Sequence, residues 1–311
     1  MNEIERLLIE MLKIPSVSGQ EKMMGDFLVR ELKDFEVEKQ MVEKNRFNVI
    51  ATKGKPQTYI VVHMDTVPGV VPIKITRNKI FGRGAIDNKG NIAGAIMAAR
   101  KLKNIGLIFT VGEEDNFIGA KKIKIKKGNF IVMEPTQLQV ASSQRGLIAL
   151  AILAQGVQKH SSLDFKKEDS AIYNLTNLLQ ELYKKNWTAF NAIITSGGEA
   201  DNVIAGEATA KVLVRPKNKA EFEKIIAFVA KTNRKGMKIK ITDKIKPCES
   251  DLFKKGILVP FFSEMAFFPN SLLFGVGNIS IAHTVNEYVE RKELRQLEKK
   301  LIELIRKVEK V

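Results

Sequence analysis

The chain has 311 residues, 44% of them hydrophobic, and a formal charge of +16 from 51 Lys and Arg against 35 Asp and Glu. That length and apolar content supply a sizeable core in one or two domains and exclude a disordered or fibrous chain. No apolar run approaches the ~20 residues that span a bilayer, and the N-terminus lacks the basic, apolar, small-residue order of a secretory leader, so a cytoplasmic protein away from membranes is expected.

Ile4, Leu7, Leu8, Met11 and Leu12 fall on one helical face, and Pro15 closes that helix. Ser18-Gly19-Gln20-Glu21 reads as a capping box for a second helix that turns Met24, Phe27, Leu28 and Leu32 inward. Tyr59 to Val62 is a short apolar strand running into His63-Met64-Asp65. The glycine-rich stretch Gly82-Arg83-Gly84-Ala85-Ile86-Asp87-Asn88-Lys89-Gly90 allows a tight turn and presents Asp87 at the mouth of a helix over Asn91 to Leu102. Leu107 to Val111 and Asn129 to Met133 are two more buried strands, ending in Gly112-Glu113-Glu114 and in Glu134. Between them the run from Lys121 to Lys127 reads as solvated lysines on an edge strand. Strands alternating with helices predict an α/β fold with a mostly parallel sheet, whose chemistry sits at the carboxyl ends of its strands.

The pattern then changes. A strand at Leu147 to Gln155, a helix marked by Ile172, Leu175, Leu179 and Leu182, and strands near Asn191 to Thr195 and Ala208 to Arg215 are followed by a helix marked by Phe222, Ile225, Ile226 and Val229 and a strand at Met237 to Ile241. The order β-α-β-β-α-β is that of a ferredoxin-like split unit. It predicts an inserted α+β domain at 143–244 within a catalytic domain of 1–142 plus 245–311, which ends in a helix carrying Leu294, Leu297, Leu301, Leu304 and Val308.

The single cysteine, Cys248, excludes an internal disulfide and a thiolate metal cluster, so any metal must be held by His, Asp and Glu. Three strand ends carry such residues. His63 is followed by Asp65, which on a strand turns toward the same region and can hold the imidazole tautomer. Glu113 and Glu114, leaving a strand together, point in different directions: one can bind a metal while the other faces the space beside it as a general base. The bland alternatives are a strand-end turn and solvated surface charges.

Taken in order, His63-x-Asp65, Gly84-x-x-Asp87-x-Lys89-Gly90, Gly112-Glu113-Glu114, Glu134-Pro135-Thr136 and His283-Thr284-x-Asn286-Glu287 resemble the signature of the two-zinc deacylase and aminopeptidase-like family. That family includes acetylornithine deacetylase, succinyl-diaminopimelate desuccinylase, glutamate carboxypeptidases and the amino-group-carrier-protein hydrolases, and the resemblance runs from end to end of the chain. It implies that His63 and Glu134 bind one zinc, Glu114 and His283 the other, and Asp87 both, with cobalt or manganese as possible substitutes. It also implies that Asp65 orients His63 and that Glu113 is the general base.

The inserted domain of such proteins is a lid and dimerisation domain. Gly156-Val157-Gln158-Lys159-His160-Ser161-Ser162 is similar to its histidine motif, which implies that His160 stabilises an oxyanion, in many relatives from the neighbouring subunit of a homodimer. Asn202-Val203-Ile204 together with Arg215 resembles the residues that grip a substrate carboxylate. The chain departs from the pattern at Ala205, where proline is usual, at Lys159, where a small residue is common, and in a compressed segment from Ile257 to Gly277.

The function expected is a metal-dependent amidohydrolase of arginine, lysine or diaminopimelate biosynthesis, which removes an acyl group from an amino acid or releases lysine or ornithine from a small acidic carrier protein. The positive charge suits an acidic partner. Dipeptide or carboxyl-terminal cleavage by a zinc peptidase of the same family is the alternative. A nucleic-acid-binding protein and a catalytically inactive scaffold relative are the readings from other classes; against the first, no recognition motif is present and the few aromatic residues are not interleaved with the basic ones.

Overall fold

A computed structural model describes residues 1–232 and 236–310. The chain forms two compact units, one made of Met1–Ser143, Glu249–Val259 and the residues from Ser263 onward, the other of Gln144–Cys248 with Pro260–Phe262.

The first unit opens with helices α1 (Glu3–Leu12) and α2 (Lys22–Glu31). Strands β1 (Glu36–Glu43), β2 (Arg46–Lys53) and β3 (Thr58–His63) follow, then the short β4 (Lys74–Ile75) and β5 (Lys79–Phe81). Helix α3 (Lys89–Arg100), β6 (Ile105–Thr110), α4 (Ile118–Lys122), β7 (Asn129–Met133) and β8 (Ala141–Gln144) complete this part. The second unit contains β9 (Leu147–Gln155), β10 (Lys159–His160), α5 (Ala171–Tyr183), β11 (Phe190–Gly197), β12 (Val203–Ile204), β13 (Glu207–Val214), α6 (Lys219–Thr232) and β14 (Met237–Ile245). After β15 (Cys248–Glu249) come β16 (Ile257–Val259), β17 (Ser271–Phe274), β18 (Tyr288–Glu290) and the long helix α7 (Arg291–Val308).

The large sheet of the first unit has the order β1-β2-β6-β3-β7-β17-β8-β15. Its four middle strands, β6, β3, β7 and β17, run parallel, while β1, β2 and β8 join antiparallel at the margins. The middle strands are continuous apolar runs because both faces are covered. Ile60, Val62, Leu107 and Phe109 enter the core shared with α1, α2, α3 and α7, whereas Val61 and Ile108, equally buried, face the opposite side. Helix α7 contributes the stripe Leu294, Leu297, Leu301 and Leu304 at helical spacing. It approaches α3 so closely that a Cβ on Gly94 would lie 2.1 Å from Leu297 Cδ2, which is why glycine stands there.

Two local expectations fail. Ser18 and Glu21 do not cap α2: Ser18 Oγ–H donates to Asp65 Oδ2, and the Glu21 carboxylate accepts from Arg46 Nε and Nη2, so both side chains are held by tertiary partners. A capping box does form at the start of α1, between Asn2 and Glu5. The lysine run is solvated but lies on no strand; Lys121 and Lys122 end α4 and the residues after them form an extended connection. The hairpin β1–β2, in a stretch without a clear period, turns through Asn45 at φ +63°, a conformation asparagine tolerates.

The four-stranded antiparallel sheet of the second unit has the order β11-β13-β9-β14, so β9-α5-β11-β13-α6-β14 is the split β-α-β topology. Alternate residues of β9 (Ile148, Leu150, Ile152, Ala154) pack under α5 and α6 with Leu175, Leu178, Leu182, Phe222, Ile225 and Val229. Strands β10 and β12 pair separately, His160 opposite Val203.

Candidate metal centre

The parallel strands β3, β6 and β7 end at one edge of the sheet, and their ends supply His63, the turn Gly112-Glu113-Glu114, and Glu134. Apolar strands buried on both faces stop where polar residues begin, so the first side chains beyond them are delivered together. Gly112 has φ +73°, and a Cβ there would stand 2.9 Å from Arg46 Nη2; the tight turn that separates Glu113 from Glu114 therefore needs glycine. Asp87 comes from the loop before α3, and His283, at φ +64°, from the connection between β17 and β18.

Asp87 stands between the two histidines. His63 Nε2 is 3.0 Å from Asp87 Oδ1, and His283 Nε2 is 3.1 Å from Asp87 Oδ2 and 2.9 Å from Glu114 Oε1. Two ligand sets result, His63-Asp87-Glu134 and Asp87-Glu114-His283, in each of which the donor atoms lie within 4.8 Å of one another. A third such group joins His63 to Glu113 and Glu114. His63, Asp87, Glu113 and Glu134 are buried, whereas the His283 side chain is 48% exposed at the rim.

The electrostatics are those of a site built for cations. Burial, reinforced by neighbouring carboxylates, pushes the Glu113 and Glu134 carboxyls well above their ordinary range and raises Glu114 as well. Burial alone would lower the His63 pKa, but Asp65, Asp87 and the charge of Glu113 outweigh it and lift it well above its ordinary value. Hydrogen bonds to Asp87 and Glu114 raise His283 to about 10. Glu134 Oε1 is sealed from solvent with no hydrogen-bond partner. An orphaned buried carboxylate oxygen and several mutually repelling acids beside two imidazoles are costly unless divalent ions complete them. The donor set of imidazole and carboxylate suits zinc, and equally cobalt or manganese. The residues therefore fit the group.

Asp65 plays a larger part than a histidine-orienting carboxylate. His63 Nδ1 lies 3.0 Å from the Asp65 main-chain oxygen and 3.6 Å from the nearer carboxylate oxygen, so the close contact is with the main chain. The carboxylate itself accepts from the N–H groups of Glu113 and Glu114 and from Ser18 Oγ. Among the described residues, none donates a hydrogen bond to the Glu113 carboxylate, which is left to face the site.

The sequence-predicted residues of the second unit do not all gather. His160 and Asn202 are neighbours: β10 pairs with β12, and Ser161 N–H donates to the Asn202 carbonyl. Ser162 brings both its main-chain N–H, at 3.2 Å, and its hydroxyl, at 2.8 Å, to His160 Nδ1, and His160 is an exposed residue. Lys159 pairs with Asp169 at 2.8 Å. Arg215 follows the carboxyl end of the eight-residue strand β13, whereas β12, with which His160 pairs, precedes its amino end.

Three further residues escaped the sequence reading. Ser18 was masked by its resemblance to a helix cap. Glu264, fully buried, accepts from Thr110 Oγ1 at 2.8 Å and lies close enough for its charge to act on Glu113 and Glu134, yet no motif surrounds it. Glu287 stood inside a quoted motif without a role, although its carboxylate accepts from the main chain of the Asp87 loop.

The sequence profile described as peptidase family M20/M25/M40 matches residues 59–307. A [LysW]-lysine/[LysW]-ornithine hydrolase of Sulfurisphaera tokodaii is 27% identical, over 94% of this chain and 92% of its own. A protein of Aspergillus flavus named a probable carboxypeptidase is 30% identical, over 66% of this chain and 61% of its own length, so this chain spans less than two thirds of that relative. Among solved structures, a tripeptidase from Staphylococcus aureus superposes with a TM-score of 0.80 at 19% identity, covering 99% of this chain and 98% of the other. A metallo-carboxypeptidase from Sulfolobus solfataricus gives a TM-score of 0.69 at 18% identity, covering 100% of both chains. At those identities the structural likeness speaks to the fold.

Proposed function

The chain belongs to peptidase family M20/M25/M40, and we propose that within this family of hydrolases it is a two-metal amidohydrolase that releases an amino acid from an acyl group, with lysine or ornithine on an acidic carrier protein as the favoured substrate. The observation that carries the reading is the pair of ligand sets sharing Asp87, with the Glu113 carboxylate buried and unpaired beside them. His63, Asp87 and Glu134 would hold one ion and Asp87, Glu114 and His283 the other. Zinc, or cobalt or manganese in its place, would supply Lewis acidity toward the scissile amide carbonyl.

The chain's own residues do the rest. Glu113 accepts a proton from the attacking water and returns it to the departing amine nitrogen as the C–N bond breaks. Asp65 holds the turn that aims Glu113. His160 donates a ring N–H to the developing oxyanion, and Asn202 and Arg215 bind a substrate carboxylate. A homodimer in which His160 serves the site of the neighbouring subunit belongs to this proposal.

Two observations favour the carrier-protein substrate. The [LysW]-lysine/[LysW]-ornithine hydrolase aligns over nearly the full length of both chains, and a charge of +16 attracts an acidic partner. The similarity to a probable carboxypeptidase favours peptide cleavage as the second reading.

The test is hydrolysis by chelated and then zinc- or cobalt-restored protein of a glutamyl-lysine carrier-protein conjugate, N-acetylornithine, N-succinyl-diaminopimelate and a dipeptide panel, with Glu113→Gln as control. Metal-dependent turnover of the conjugate by the wild type alone is expected. Turnover confined to dipeptides would establish the second reading. A protein that binds two metals and cleaves none of these would sink the substrate assignment.

A further inference from the structure

We propose that Glu287 is a positioning residue for the metal centre: through the main-chain N–H groups of Ile86 and Asp87 it sets the orientation of the one carboxylate that both ligand sets share. This rests on the reading of the two sets as metal sites, and it concerns a residue that contacts neither ion.

The geometry is specific. Glu287 is buried, 1% exposed. Its Oε1 accepts from Ile86 N–H at 3.1 Å and from Asp87 N–H at 3.3 Å, while Oε2 accepts from Arg83 Nη1 at 2.8 Å. The Glu287 main-chain oxygen accepts from Gly82 N–H, and the adjoining strand β18 pairs with β5, Tyr288 opposite Phe81. The segment from Gly82 to Asp87 is thus held along its length by the segment that begins at Glu287. On its other side Asn88 Nδ2 donates to the Met133 carbonyl, next to Glu134, and Asn91 Nδ2 steadies the Asn88 oxygen. Asp87 is therefore suspended between two clamps, one leading to the strand that carries Glu134 and the other to the connection that carries His283.

That placement gives Glu287 a role beyond packing. His283 lies four residues before it, so one connection supplies both a ligand of the second set and the acceptor that fixes the ligand common to both sets. Asp87 has to direct Oδ1 toward His63 and Oδ2 toward His283, and a small rotation of its peptide would spoil both directions together. Outer groups that hold a ligand in this way govern metal affinity even though they do not touch the ion. Removal of Glu287 leaves two buried N–H groups without acceptors and the Arg83 guanidinium without its carboxylate.

The experiment titrates cobalt(II) into chelated wild type, Glu287→Ala and Glu287→Gln, read by calorimetry and by the visible absorption of the bound ion, with the melting temperature followed in parallel. Ile305→Val, a small deletion in the core near the end of α7 remote from Glu287, is the control for a purely structural loss. Wild type is expected to bind two equivalents. Glu287→Ala is expected to fold, to bind about 10- to 100-fold more weakly, and to show an altered cobalt spectrum; Glu287→Gln, which keeps an oxygen for the two N–H groups, should lose less. Ile305→Val should lower the melting temperature and leave affinity and spectrum unchanged. Wild-type affinity and spectrum in Glu287→Ala, or in Glu287→Leu, which fills the space without an acceptor, should the alanine variant not fold, would overturn the proposal. Failure of the wild type itself to bind cobalt would instead overturn the two-metal reading on which it rests.

Discussion

Asp65 accepts the main-chain N–H of Glu113 on Oδ1 at 3.1 Å and turns Oδ2 to the next N–H, that of Glu114, also at 3.1 Å. One buried carboxylate thereby holds the two residues that separate at the end of β6. Asp65→Asn replaces one acceptor oxygen by an amide that can only donate, so the turn loses a partner while the Asp65 main-chain oxygen remains beside His63 Nδ1. We expect kcat to fall about 10- to 100-fold with metal content near that of wild type; steady-state kinetics with metal analysis checks both.

Glu113→Gln removes the proposed base without changing its size. Turnover should fall by about 10²- to 10⁴-fold while two metals remain bound. Because burial beside other acids disfavours the Glu113 carboxylate, the metal-free variant should melt no lower than metal-free wild type. A variant with appreciable turnover would remove Glu113 from its role.

Metal removal should destabilise the first unit. Chelation leaves Asp87, Glu113, Glu114 and Glu134 facing one another, with Glu134 Oε1 unpaired. Ions binding only the folded state at a thousand times their Kd add about 4 kcal/mol. Scanning calorimetry should show a lower melting temperature after chelation, restored by zinc or cobalt.

Glu264 makes the metal-free protein sensitive to pH. Burial raises its carboxyl to about 7 from an ordinary 4.5, so the folded chain keeps a proton there that the unfolded chain gives up earlier. The folded state binds more protons between those values, and stability falls as pH rises from 4.5 through about 7. Glu264→Gln keeps an oxygen for Thr110 and removes the ionisation. Denaturant titration of the metal-free proteins should find the variant favoured at pH 8 relative to pH 5, by up to about 3 kcal/mol.

His160→Ala should lower kcat without changing metal content. If His160 serves the neighbouring subunit, mixing His160→Ala chains with Glu113→Gln chains should restore part of the activity, since mixed dimers then contain one complete site. Absence of any recovery in demonstrated heterodimers would place His160 in the site of its own chain.

The readable parts of the fold were those with a strong period or a sharp boundary. Apolar runs such as Asn129 to Met133 and Leu147 to Gln155 match their strands residue for residue, because strands buried on one or both faces leave a pattern that ends abruptly at polar residues. Strands β1 and β2 left no such mark: β1 is largely exposed, and β2 buries Arg46 and Asn48 among its apolar residues. The capping box at Ser18 shows the opposite failure, a correct local pattern overruled when Asp65 and Arg46 claimed its members.

By itself, the sequence carried the strongly periodic elements in its local pattern, the family in the resemblance of five ordered motifs, and candidate cation-binding residues in their side-chain chemistry. Only the tertiary structure decided that His63 and His283 would take opposite oxygens of Asp87, that Asp65 would hold the Glu113 turn through its main chain, and that Glu264 and Glu287 would belong to the surroundings of the site. Those relations join residues as many as 201 positions apart, as between Ile86 and Glu287. Distance and direction between such residues arise from the packing of strands and helices around a shared core, which no local window of sequence contains.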